Sequence, residues 1–193
     1  MKKLLLTATI AATTLFANAQ STWKVDASHS KIGFAVSHMV ISETEGHFNV
    51  YDGTVVTKNE DFTDAQVNFS VDAASINTES ADRDKHLKSA DFFDVEKFPK
   101  LNFKSTSFKK VSGNKYSLEG ELTIKNVTKK VKFDVTYNGQ AKSPWGQTAA
   151  GFKATSSINR FDYGLTWSKA LEAGGLLVGD IVNITLKLEL IKQ

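Results

Sequence analysis

The sequence contains no cysteine and only two prolines. Without cysteine there are no disulfide staples, thiolate metal ligands or thiol nucleophiles, and no site for a lipid anchor on sulfur. The fold must therefore rest on its apolar core alone. Charge of one sign is also scarce. The chain carries 24 basic and 21 acidic residues, a formal charge of +3. Nucleic-acid binders draw most of their affinity from a basic field, so this near-neutral balance argues against that class. Apolar runs long enough to cross a bilayer, about 20 residues, are missing too, which argues against stable membrane insertion.

The N-terminus reads as an export signal, expected to be removed. Met1-Lys2-Lys3 is a basic start, Leu4 to Phe16 is apolar apart from threonines, and Ala17-Asn18-Ala19 fits a small-x-small cleavage site. The division expected is a signal peptide over 1–19 and one domain over 20–193, placed in the periplasm or secreted. Removal of Lys2 and Lys3 leaves 22 basic against 21 acidic residues. The remaining 174 residues suffice for one large core.

Period-two alternation dominates that remainder. Val182, Ile184, Leu186, Leu188 and Leu190 alternate with Asn183, Thr185, Lys187 and Glu189. Val131, Phe133, Val135 and Tyr137 form a second row, and Tyr116, Leu118, Leu122 and Ile124 a third. Weaker rows are Ile32, Phe34, Val36 and His38, then Val67, Phe69 and Val71, and Leu101 with Phe103. Turn signals separate them: Ser112-Gly113-Asn114, Asn138-Gly139 and Ser143-Pro144-Trp145-Gly146. Strands are predicted near 30–38, 46–57, 64–72, 100–109, 115–125, 129–138, 148–158 and 181–191, with a short one from Trp23 to Asp26. Such a series makes an antiparallel sandwich or closed barrel.

One short helix interrupts the series, with Ser80 as its cap, Asp82 and Asp84 at its positive end and Lys88 toward its close. Leu87, Phe92 and Phe93 would pin it to the barrel. The segment from Gly164 to Asp180 is apolar and broken by glycine, and reads either as a lid or as a loop packed over one end.

Familiar catalytic motifs are missing: no G-x-S-x-G elbow, phosphate loop, dinucleotide fingerprint or H-E-x-x-H. The four histidines, His29, His38, His47 and His86, show no short metal-ligand spacing, so no metal or other cofactor is expected. Asp26 or Asp84 could orient His29 or His86 as a base, which leaves open a lipid-acting hydrolase or isomerase. That site would be incomplete without a nucleophile or metal. A small barrel can fill its interior or hold a ligand, and alternation alone does not separate the two.

Several motifs then run the length of the chain. They begin with Trp23-Lys24-Val25-Asp26, His29-Ser30, Ile32-Gly33-Phe34, His38, Gly46 and Phe48. At the centre is Arg83-Asp84-Lys85-His86-Leu87-Lys88-Ser89-Ala90-Asp91-Phe92-Phe93-Asp94, with Phe98-Pro99 after it. Gly120 to Lys125, Arg160-Phe161-Asp162-Tyr163-Gly164 and Val178-Gly179-Asp180-Ile181-Val182 follow. In this order they resemble the YceI-like family of exported lipid- and polyisoprenoid-binding proteins. The chain departs at Asn126, where members of that family often carry glycine.

The resemblance implies an all-β fold, an extended lipocalin-like antiparallel barrel of about eight strands with one short helix. It implies a long-chain lipid or isoprenoid as partner and no enzyme activity. Facing and composition nominate the cavity lining: Phe34, Val36, Phe48, Val67, Phe69, Leu87, Phe92, Phe103, Leu122, Ile124, Phe133, Val135 and Phe152. A buried head group needs polar partners, and His38, Arg83, His86 and Arg160 are the candidates for it or for the mouth. The plainer reading of the two arginines is that they fasten loops by pairing with acids such as Asp84 and Asp162. A third reading is a stress-related interaction module that uses a sheet edge or the Gly164–Asp180 segment. Homodimers are common in such families, though no residue here specifies one.

Overall fold

The structure is a computed structural model that describes residues 20–172 and 174–193. The expected signal segment, 1–19, lies outside the described residues. Eleven strands occur among them: β1 Ser21–Val25, β2 Lys31–His38, β3 Ser42–Phe48, β4 Tyr51–Thr57, β5 Gln66–Asp72, β6 Ile76–Asn77, β7 Lys100–Ser112, β8 Lys115–Ile124, β9 Val127–Lys142, β10 Thr148–Asn159 and β11 Val178–Lys192. The helix α1 spans Ala81–Lys88.

Eight strands close an antiparallel barrel in the order β1-β4-β5-β7-β8-β9-β10-β11, and β11 returns to β1. Strands β2, β3 and β6 lengthen its wall. β1 and β2 lie end to end along β11: β1 pairs with Leu190–Lys192 and β2 with residues from Val178 to Lys187. On the next strand β3 pairs with β2 while β4 pairs with β1. The expected strand over 46–57 is therefore two strands. Asn49 and Val50 leave the ladder because their backbone bonds the β5–β6 link instead, through Asn49 N to Ser75 O (3.1 Å) and Asp72 N to Val50 O (2.9 Å).

Two other local expectations change. Asn138-Gly139 is not a turn. β9 runs on to Lys142, Gly139 pairs with Gly151, and an irregularity between Gly151 and Phe152 absorbs the mismatch. The chain reverses at Ser143–Gln147, where the Ser143 N–H donates to Gln147 O over 2.7 Å. Ser80 does occupy the cap position of α1, but its side chain makes no capping bond. The departure at Asn126 falls in the two-residue turn between β8 and β9, whose left-handed position is Lys125 at φ 56°.

The inward rows follow the alternation. Tyr116, Leu118, Leu122 and Ile124 are buried on β8, and Phe133 and Val135 on β9. One end of the barrel carries the loop after β4. The other carries α1, the chain from 89 to 99, the connection before β11 and the β2–β3 turn. No helix among the described residues is long and apolar enough to cross a membrane.

Candidate functional site

The inward rows do not meet. They enclose a cavity of about 150 Å³ that runs from Ile32, Phe34 and Phe48 near one end to Phe62, Phe152 and Leu190 near the other. Ten residues expected to line it do so: Phe34, Phe48, Val67, Phe69, Phe103, Leu122, Ile124, Phe133, Val135 and Phe152. Ile184, Leu186 and Leu188 of β11 and Leu118 of β8 join them.

Three expected lining residues lie elsewhere. Val36 sits past Phe34 on the same inward row, level with Thr44 and Val182. Leu87 packs against the cluster of Phe92 and Ile124 and also against that of Ile32 and Phe48. Phe92 is buried beside Trp167, with ring centres 5.5 Å apart, and beside His86 at 5.0 Å. These two are part of the closure over one end rather than of the lumen wall, because the chain after α1 folds back on itself through Phe93 N to Leu87 O (3.0 Å).

Strand glycines explain why the lumen stays open. Gly46, Gly53 and Gly120 occupy inward positions, and in each case a phenyl ring takes the space of the missing side chain. A Cβ on Gly46 would lie 2.3 Å from the Phe34 ring, one on Gly53 2.4 Å from Phe69, and one on Gly120 2.4 Å from Phe103. The rings thus lie along the wall instead of across the axis.

The far end is plugged by Phe62, 1% exposed. Its ring meets Trp23, Tyr137 and Phe152 at 5.0–5.5 Å. Asp64 holds the loop by accepting from Thr57 Oγ1 at 2.5 Å and from the N–H groups of Lys58 and Asn59. Those bonds, Thr57's foremost, keep its carboxyl below the ordinary range. The Tyr116 hydroxyl donates to Asp61 O at 2.8 Å. Sequence reasoning missed Phe62 because it stands alone in a polar loop, outside any alternating run.

At the opposite end the candidate head-group cations are occupied. Arg160 is 3% exposed, and its guanidinium donates to four backbone carbonyls: Leu165, Trp167, Val178 and Gly179. It therefore clamps both roots of the 164–179 connection, using carbonyls where Asp162 was the expected partner. Burial pushes its pKa down from the usual arginine value, against a smaller upward pull from Asp180. Arg83 is exposed and turns back on Thr78, donating from Nε to Oγ1 (2.8 Å) and from Nη2 to the carbonyl (2.6 Å). Asp84 accepts from the N–H and hydroxyl of the same threonine. Thr78 is the shared partner, so Arg83 and Asp84 fasten α1 to the residue that follows β6. His38 ends β2 on the row that includes Phe34.

His86 lies 3.0 Å from Asp91, not beside Asp84, and its ring stands edge-on to Trp167 at 5.0 Å. His29 Nδ1 lies 2.9 Å from Asp26 Oδ2 and 3.3 Å from Ser28 Oγ. A hydroxyl–imidazole–carboxylate relay needs one partner on each ring nitrogen, and here both sit on Nδ1. Glu189 approaches the same pair, so donor atoms of Asp26, His29 and Glu189 lie within 4.8 Å of one another. Bonds from Ser28 first and then His29 hold the Asp26 carboxyl down at about 2, and Asp26 in turn raises the pKa of His29. This is an exposed ion-paired cluster on the break between β1 and β2.

Comparison with known proteins fits this architecture. The family model described as the YceI-like domain matches residues 23–190. A UPF0312 protein of Staphylococcus aureus (strain N315) is 37% identical over 165 residues, 85% of this chain and 94% of the relative. Among solved structures, Burkholderia cenocepacia BcnA aligns with a TM-score of 0.75 at 24% identity, covering 86% of this chain and 98% of that one. A polyisoprenoid binding domain from Saccharophagus degradans aligns at 0.60 and 14% identity, over 87% and 97% of the two chains. At these identities the two structures support the barrel fold alone.

Proposed function

This chain belongs to the YceI-like family, and on that premise we propose that it is an exported, non-catalytic protein that holds a long-chain lipid, a polyisoprenoid or similar amphiphile, in its barrel. The observation that carries the reading is the apolar lumen lined from Phe34, level with Ile184, to Leu190. A packed core would have closed it. Three glycines instead give up inward side chains so that phenyl rings lie against the wall.

The energetics suit a carrier. A chain of about 16 carbons gains roughly 13 kcal/mol gross at ~0.8 kcal/mol per buried methylene, and association costs several kcal/mol or more. Apolar lining alone can therefore give useful affinity, with few polar contacts. A cavity of about 150 Å³ takes a group of roughly benzene size without rearrangement, so a long chain enters by changing the rotamers of lining residues. The basic, apolar and small-residue pattern of residues 1–19 supports a periplasmic or secreted location. The test is lipid extraction and mass spectrometry of protein purified from its own host. Co-purification of a prenyl or acyl lipid at near one per chain is expected. Ligand-free protein that also rejects added prenyl lipids would refute the reading.

A further inference from the structure

The β2–β3 hairpin ends in a turn whose composition is wrong for water. Residues 39–41 are Met-Val-Ile, and their exposures are 41%, 69% and 82%. Met39 and Val40 both have left-handed backbones, at φ 54° and 65°. Hairpin turns of this kind draw glycine, asparagine or aspartate, and a β-branched residue at positive φ is an outlier that folds keep only when something else requires it. Here two strained positions hold large apolar side chains out into solvent. Folding gains nothing from that choice, because asparagine would relieve the backbone and hydrate the tip together.

The location gives the tip a use. His38, its last strand residue, ends the inward row that begins with the lining residues Ile32 and Phe34. The Met39 N–H donates to Leu177 O at 2.9 Å. Through that bond the tip is joined to the small loop formed by the Ala170–Leu176 bridge. The tip therefore projects beside the connection that Arg160 clamps over this end of the lumen. Trp145, 87% exposed, also projects, but from the β9–β10 turn. β10 and β11 pair from Ala149–Ile191 to Asn159–Ile181, which separates Trp145 from the tip by the length of the barrel.

We propose that Met39, Val40 and Ile41 dock this end of the barrel on a lipid bilayer, where they enter the interface and bring the lumen to the membrane that supplies or receives its cargo. The proposal rests on the carrier reading above. Three side chains are too few for a stable protein interface, which needs roughly 800 Å² from each partner. They are enough for reversible partitioning, since each large aliphatic group moved out of water contributes about tenfold. Glu43 and Glu45 of β3, Glu172, and the five acids of residues 81–99, which outnumber the four bases there, leave this end without a basic excess. The contact is thus apolar rather than electrostatic, and neutral phosphatidylcholine is the appropriate surface.

The experiment is flotation of the protein, residues 20–193, with phosphatidylcholine vesicles in low and high salt. The wild type should float with the vesicles in both. The double variant Val40→Asn, Ile41→Asn should lose at least about tenfold in partitioning with an unchanged or higher melting temperature, since asparagine suits the left-handed turn. Trp145→Ala should float like the wild type. A second arm offers a prenyl alcohol from detergent, with no vesicles, and the double variant should take it up as the wild type does. No flotation of the wild type, equal flotation of the double variant, or loss confined to Trp145→Ala would each overturn the docking proposal. So would a concentration-dependent dimer that the double variant abolishes, because the tip would then meet a second copy. Failure of the wild type in the detergent arm alone would count against the carrier reading instead, and the vesicle arm would still decide docking.

Discussion

Gly53 on β4 pairs with Phe69 on β5, and the ring lies so close that a methyl on the glycine would fall 2.4 Å from its Cζ. The glycine is therefore the bed of the ring. Gly53→Ala should drive Phe69 off the wall and into the lumen. The overpacking costs about 1–3 kcal/mol, and prenyl-lipid affinity should fall at least tenfold. Adding Phe69→Ala should restore most of the affinity, because the clash has then lost its partner. Equal lipid affinity in Gly53→Ala and wild type, measured by fluorescence titration, would show that the ring's place does not shape the cavity. Gly120→Ala should be worse for stability than Gly53→Ala, since its Cβ would also meet the Lys104 carbonyl at 2.5 Å, which has no rotamer to change.

Arg160 fastens the connection over the mouth through its backbone carbonyls. Arg160→Ala leaves four carbonyls without their charged donor, a loss of at least about 3 kcal/mol. In a chain of this size that is a fall of about 6–12 °C in melting temperature. Arg160→Lys should recover little, because one ammonium cannot span carbonyls on both roots of the segment. Arg83→Ala, at an exposed site bonded, among the described residues, to Thr78 alone, should shift the melting temperature far less. Comparable small shifts for both arginines in calorimetry would contradict the clamp.

The Asp26–His29 pair makes a pH-dependent contribution with a defined sign. Asp26 titrates at about 2 against 3.8 for a free aspartate, so its share of stability is present above pH 3.8 and is lost as pH falls toward 2. The pKa of His29 is raised from 6.5, so its share is complete below pH 6.5 and is lost as pH rises through the folded value. Carboxyl carbon NMR should place the Asp26 midpoint near 2. Ser28→Ala should move it upward more than His29→Ala does, because the Ser28 bond is the larger cause. A midpoint unmoved in both variants would show that neither bond holds the Asp26 carboxyl down.

Much of the barrel was legible in the sequence because a strand with one wet face repeats every two residues. The rows of β8, β9 and β11 gave the wall, and ten nominated residues line the lumen. The reading failed where period two carries no information. Asn138-Gly139 has the composition of a turn, yet an irregularity beside Gly151 lets the ladder continue. Phe62 plugs the barrel from a loop, so no neighbour announced it. Leu87 and Phe92, expected in the lumen wall, pack in the closure over its end instead. Arg160 showed its charge but not its partners, since backbone carbonyls have no signature in a sequence.

Methyl NMR of isotope-labelled protein titrated with a long-chain prenyl alcohol tests most directly whether the lumen holds the lipid. Saturable shifts are expected at Val67, Leu118, Leu122, Ile124 and Ile184, which line the cavity, with Val50 and Val111, both exposed, unmoved. Shifts confined to exposed methyls, or none at ligand saturation, would mean that the lumen is not the binding site.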